Sequence, residues 1–362
     1  MKKNLLSARV LLAALCLAAA AVLAPAASWA QQTEQSTTEV SLADGGTASS
    51  GMTGDNAMVI GEDGAAIQDS KTNGGGTAGV GSGGPESLAF DGKYIWVPRQ
   101  FKNTVLRMRV SDAAKSGTFA VGKNPVAVLF DGSSVWVANL DSDTVTKLRA
   151  TDGTAVGTYT VGDGPGGLAS DGTNVWVANR HANTVTKLRA STGAVLGTYA
   201  VGKRPVGLLC QGGNVWVANN VGDTVTKLRG TDGVALGTYP VGDAPYGLAS
   251  DGSNVWVTNF FSSSITKLRA ADGVALGTYK VGSDPAGIVY DAASASLLVA
   301  SSGNNTVARV NPTDGAVLAI FRTGKNPLGV ITDGAHIWSA NFGSDSVSTT
   351  NVAASSDTLV VQ

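Results

Sequence analysis

The chain has 362 residues, 43% of them hydrophobic and 15% charged, with a formal net charge of −1. That apolar content supports a large core and excludes general disorder. The balanced charge gives no bulk electrostatic reason to expect a nucleic-acid or membrane-surface partner, and 47 glycines point to many tight turns.

The N-terminus, residues 1–30, reads as an export signal. Lys2 and Lys3 precede an almost unbroken apolar run, Leu11 to Leu23. Ser28-Trp29-Ala30 then offers small residues at the two positions a signal peptidase needs. Cleavage after Ala30 is expected, and with it a secreted or periplasmic location. The run is short for a membrane span, a polar segment follows it, and no later stretch suits a transmembrane segment. Leu15 is bulkier than a lipoprotein signal normally allows before Cys16. Loss of Cys16 leaves Cys210 as a lone thiol without an internal disulfide.

Residues 31–79 read as a disordered linker, rich in Gly, Ser, Thr and Gln. Glu34, Glu39, Asp44, Asp55, Glu62, Asp63 and Asp69 stand against Lys71. Such a composition cannot bury enough apolar surface to offset chain entropy. Ala57 to Ile60 is the part that could form a strand.

From Val80 the sequence repeats to its end. Proline recurs at Pro85, Pro125, Pro165, Pro205, Pro245, Pro285 and Pro327. Six residues after each stands Asp91, Asp131, Asp171, Gln211, Asp251, Asp291 or Asp333. Then come Trp96, Trp136, Trp176, Trp216, Trp256, Leu298 and Trp338. The units fall at about 80–120, 121–160, 161–200, 201–240, 241–280, 281–322 and 323–362. The spacing is 40 residues, except for two extra between Asp291 and Leu298. A period of that length marks stacked or radial repeats.

Each unit reads as four strands. In the third, Gly167 to Ser170 leads through Asp171-Gly172 into Asn174 to Asn179, apolar on both faces. Thr184 to Ala190 is more polar, and Thr192-Gly193 turns into Ala194 to Val201. β-branched and aromatic residues between Asp-Gly or Thr-Gly turns are hairpin signals. Four-stranded units could form a linear solenoid or radial blades, and blades leave fewer exposed edges. The expected fold is all-β, a seven-bladed β-propeller of four-stranded antiparallel blades.

Small residues two positions after each proline (Ser87, Ala127, Gly167, Gly207, Gly247, Gly287 and Gly329) suit crowding at the axis. They could also merely relieve a turn after proline. The tryptophans read as core packed between blades, and Cys210 as a buried small hydrophobe. Asp357 to Gln362 can supply the outer strand of the last blade. Closure would then rest on packing between the first and last blades, with Ala57 to Ile60 as a strand that could assist it.

The repeated string Val-Gly-x-x-Pro-x-Gly-Leu-Ala-x-Asp-Gly, then Asn-Val-Trp-Val-Ala-Asn, then Thr-Val-Thr-Lys-Leu-Arg resembles the YVTN-type β-propeller repeat family. Trp176 to Asn179 and Trp256 to Asn259 stand where that family has Tyr-Val-Thr-Asn. The resemblance covers residues 80–362 and implies a secreted or surface propeller. The motif carries no catalytic residue. The chain is also distantly similar to streptogramin (virginiamycin B) lyases, and that resemblance implies a histidine pair, an acidic residue and magnesium. Here the histidines are His181, after the second strand of blade three, and His336, at the start of the second strand of blade seven. Those places lie on opposite faces of the disc.

The sequence shows no His-Glu cluster, Cys pair or Gly-x-Ser-x-Gly elbow. The Asp-Gly pairs read as hairpin turns rather than calcium ligands. No catalytic residue, cofactor or metal is expected. The Lys-x-Arg pairs, Lys147 and Arg149 through Lys267 and Arg269, form a basic outer band that could bind a polyanion but reads first as a solvated edge that resists aggregation.

Two loops differ in every blade, one before the proline and one after the second strand. An up-down-up-down blade brings both to one face, where scaffolds present binding surfaces. That face would carry Arg99, Phe101, Arg180, His181, Arg204, Tyr246, Phe260, Phe261 and Phe342, and aromatics beside arginines are the usual anchors of recognition. The loops would also vary if nothing constrained them, with Phe260 or Phe342 tucked over a blade edge. The expected function is a monomeric, exported binding module for a protein, peptide or glycan. The alternatives are a lyase or lactone-type hydrolase at the axial pocket, and a structural surface-layer protein.

Overall fold

The structure is a computed structural model that describes residues 76–352 continuously and the backbone of four short strands before them. The export signal at 1–30 and the segment Asp357 to Gln362 lie outside the described residues. The chain divides into two compact units, 1–55 and 56–362. In the first, Thr38–Ser41 pairs antiparallel with Thr47–Ser50.

The second unit is a seven-bladed β-propeller. Blade two is representative, with strands Pro125–Phe130, Ser134–Asn139, Thr144–Arg149 and Ala155–Thr160 in simple antiparallel order. Blade one uses Ala89–Phe90, Tyr94–Arg99, Thr104–Arg109 and Lys115–Ala120. The innermost strands touch one another all the way round, blade seven against blade one included.

Burial explains the strand patterns. The second strand lies between two neighbouring blades, so both of its faces are apolar: Val135, Trp136 and Val137 are fully buried. Trp136 packs against Val175 and Val177 of blade three, and Trp96 against Val135 and Val137 of blade two. Crowding at the axis fixes the glycines. A Cβ on Gly167 would sit 2.0 Å from the Val206 carbonyl oxygen, and one on Gly207 2.1 Å from that of Tyr246.

The conserved geometry of the first turn has a chemical cause. Asp131 Oδ1 accepts the Ser133 and Ser134 amides at 2.9 and 2.7 Å, while Oδ2 accepts the Trp136 indole N–H at 2.6 Å. The same indole contact recurs at Asp91, Asp171, Asp251 and Asp333. Burial opposes ionisation of Asp131, but the donors from Trp136 and the turn outweigh it and hold the carboxyl below its ordinary range. In blade four Gln211 replaces the aspartate, and the buried Trp216 N–H has no partner.

The Lys-x-Arg pairs do not form a solvated band. Lys147 is buried, with its ammonium 5.0 Å from the Trp136 ring centroid, and donates to Ala190 O of the next blade at 2.6 Å. Lys187, Lys227 and Lys267 do the same. The physical reason is position: the third strand still faces a neighbouring blade, so its lysine can lie over an indole and join two blades. Only the arginine of the pair is exposed, as in Arg149 with Asp152 at 2.9 Å.

Closure also differs from expectation. The fourth strand of blade seven is Gly76–Gly79, antiparallel to the third strand, Ser346–Asn351. Val80 N donates to Asp345 O at 2.9 Å, and the Thr77 and Ser348 hydroxyls lie 3.0 Å apart. A strand from before the first repeat therefore completes the last blade, and a shared sheet replaces a packing seam. Met58–Ile60 adds parallel to Gly76–Gly79, with Ala66–Ile67 beyond it.

Candidate functional site

Hydrogen bonds tie the two variable loops of each blade together on one face. The Leu140, Arg180, Asn220 and Phe260 amides donate to the carbonyls of Asn124, Gly164, Arg204 and Ala244 at 2.8 to 3.0 Å. The last residue of each loop is left-handed, as at Asp143 (φ 53°), Asn183 (φ 56°) and Asp345 (φ 49°). Asn and Asp tolerate that region best after glycine. Their side chains then clamp the adjoining loop: Asp143 Oδ1 accepts the Gly164 amide at 2.9 Å, and Asn183 Oδ1 accepts that of Arg204 at 2.8 Å. Asp345 accepts both Gly83 and Gly84, which extends the clamp across the closure. The loop backbones thus repeat while their outward side chains do not.

The structure sorts the nine candidate residues into groups. Arg180, Arg204 and Tyr246 come together at the axial end with Glu86, a residue the sequence reading missed. The Arg180 guanidinium donates to Gly166 O at 3.0 Å and lies 3.4 Å from Glu86 Oε2, which belongs to blade one. Both side chains are largely buried, at 12% and 17% exposure. Gly166 makes room, because a Cβ there would fall 1.9 Å from Arg180 Nε.

Tyr246 is only part-exposed. Burial, with Glu86 adding to it, pushes its phenol up to about 12, against the opposing pull of Arg180 and Arg204. It is therefore a neutral O–H donor at physiological pH. Burial lowers the Arg204 pKa, and the Arg180 charge lowers it further.

Phe260 continues from Tyr246, with ring centroids 6.2 Å apart, and Phe261 from Phe260 at 5.4 Å. Phe261 is 47% exposed. Phe101 and Phe342 form a separate edge-to-face pair at 6.5 Å that flanks Gly84. Arg99 packs beside Gly81 and Gly83 under that closure and serves the joint between blades seven and one. His181 stands at the rim, with Nδ1 3.2 Å from Asp163 Oδ1. His336 sits at the opposite end of its strand, 3.1 Å from Asp333 Oδ2, so the two histidines do not cooperate.

Glu86 could have been found from the repeat. The residue after each proline is Glu86, Val126, Gly166, Val206, Tyr246, Ala286 or Leu328, and Glu86 is the one carboxylate in that ring of positions. A depression on the other face, lined by Asp171, Lys187, Cys210 and Gln211, has its charges already engaged within the framework. Burial, aided by Asp171, pushes the Cys210 thiol up to about 12, consistent with an inert small side chain. Among the described residues no group of three or more His, Cys, Asp or Glu could hold a metal ion, and no helix is long and apolar enough to cross a membrane.

No protein-family model and no curated protein matches the chain. Solved structures do share its shape. Hydrazine synthase from Kuenenia stuttgartiensis aligns with a TM-score of 0.68 at 17% identity, over 80% of this chain and 99% of that one. A catalytically inactive virginiamycin B lyase from Staphylococcus aureus with quinupristin aligns at 0.65 and 14% identity, over 75% and 96%. The selenomethionine form of the same lyase gives 0.65 at 15%, over 75% and 95%. At such identities the likeness speaks for the propeller fold alone.

Proposed function

We propose that the chain is an exported interaction module that binds its ligand on the loop-bearing face, centred on the axial mouth. One observation carries this reading. Side chains that break the repeat in four different blades (Glu86, Arg180, Arg204 and Tyr246) converge at one point, and an aromatic run of half-buried Phe260 and exposed Phe261 leads away from it. Loops that varied without constraint would scatter such residues. Arginine and aromatic residues around a partly desolvated centre are the usual composition of recognition sites. The lyase or hydrolase alternative needs a base or metal at the axial opening; the carboxylate found there, Glu86, already faces Arg180.

The test is a thermal-shift screen against peptide, glycan and small-anion panels, run on the wild type and on an R204G/F261A variant. Ligands that bind the native state raise the melting temperature. The reading expects at least one class to do so in the wild type and to lose most of its effect in the variant. It is overturned if no class shifts the melt, or if wild type and variant respond alike.

A further inference from the structure

We infer that the axial cluster is a carboxylate-recognition site, in which Arg180, Arg204 and Tyr246 converge as donors on an aromatic or apolar organic acid. The inference rests on the proposed binding role of this face and names the chemistry of its ligand.

The cluster is short of acceptors. Arg180 meets Glu86 at 3.4 Å and Gly166 O at 3.0 Å, and its Nε is buried without a partner. The Arg204 side chain makes no hydrogen bond or ion pair among the described residues. Two guanidinium groups within electrostatic reach of each other, against a single carboxylate, leave one positive charge uncompensated. A neutral phenol adds a third donor. Guanidinium groups bind carboxylates through paired, charge-assisted hydrogen bonds, roughly twice as strong as neutral ones.

The backbone at Arg204 points the same way. Its φ is 53°, in the left-handed region. Every blade adopts it before its proline, at Gly84, Asn124, Gly164, Ala244, Asp284 and Asn326 as well, but no other blade places a cationic side chain there. Glycine is the least strained residue there. The Arg204 side chain is half-buried there and gains no internal hydrogen bond or ion pair in return. The aromatic side of the site follows from Tyr246, within electrostatic reach of Arg180 and Arg204, and from Phe260, whose ring lies 6.2 Å from that of Tyr246.

The probes are N-acetyl-phenylalaninate and its primary amide, which share a body and differ in charge, titrated calorimetrically into the full chain. The carboxylate is expected to bind, and the amide at least tenfold more weakly. R204G should weaken the carboxylate tenfold or more, while Y246F costs a few-fold. R204G is a safe variant because glycine occupies the same backbone position twice elsewhere in the ring. Equal binding of acid and amide, or carboxylate affinity unchanged in R204G, overturns the inference. Failure of both probes while other ligands still bind the face also overturns it and leaves the interaction module standing. Silence from every ligand class removes both.

Discussion

On the face of the first turns, Asp91, Asp131, Asp171, Asp251 and Asp333 each hold a buried indole through the same hydrogen bond. On the loop face, the first loop position of successive blades holds Gln100, Leu140, Arg180, Asn220, Phe260, Ser302 and Phe342. Both faces grow from one repeat with one backbone. The first uses side-chain identity to join blades, so substitution there is costly. The second fixes its loops through backbone amides and a left-handed residue, Asn or Asp in every blade but the fifth, which has Ser263, and this frees the outward side chains to differ without unfolding the disc.

The largest contrast should come from W176A. Removing a fully buried indole between blades three and four should cost about 3–5 kcal/mol, read as a lowered urea midpoint. D171A should cost about 1–3 kcal/mol, because it strips the indole and two turn amides of their acceptor. The aspartates also set an acid limit. The carboxyls of Asp131, Asp171, Asp251 and Asp333 are held below their ordinary value when folded, against burial, by the indole and turn donors. Their contribution is therefore complete above the unfolded aspartate pKa of about 3.9. It is lost as pH falls through the lower folded values. Melting temperature should be flat from neutral pH down to about 5 and drop steeply below about 4.

Blade four sharpens the comparison from within. Q211D should raise stability by about 1 kcal/mol by giving the Trp216 N–H its missing acceptor, although the Gln211 bond to Gly252 O at 2.9 Å is lost. No gain in the melt would mean that the indole contact contributes less than its geometry suggests. Smallest of all, H181A and F101A on the loop face should each move stability by less than about 0.5 kcal/mol.

Much of the disc was legible because its cause is local and repeated. Proline, the Asp-Gly turn and tryptophan recur in register, so blade number and strand order followed from counting. The blade-joining role of Lys147 was not legible, since alternation tells which face a side chain takes but not that a neighbouring blade covers it. The closing strand carries its own signal in the sequence. In blades one to five the outer strand ends just before a Val-Gly pair, and Gly76–Gly79 likewise ends just before Val80-Gly81. Its glycine content made it look like linker. The axial cluster was half legible: Arg180, Arg204 and Tyr246 stood out as departures from the repeat, but only the ring geometry brings Glu86 of blade one to Arg180 of blade three.

The division of labour between the two faces is tested most directly by the urea unfolding midpoint of R204G measured beside that of the wild type. A residue kept for a ligand, in a backbone conformation that favours glycine, should leave the midpoint unchanged or raise it when replaced. A midpoint lowered as far as that of D171A would show that Arg204 holds the disc together, and the loop face would then be framework like its opposite.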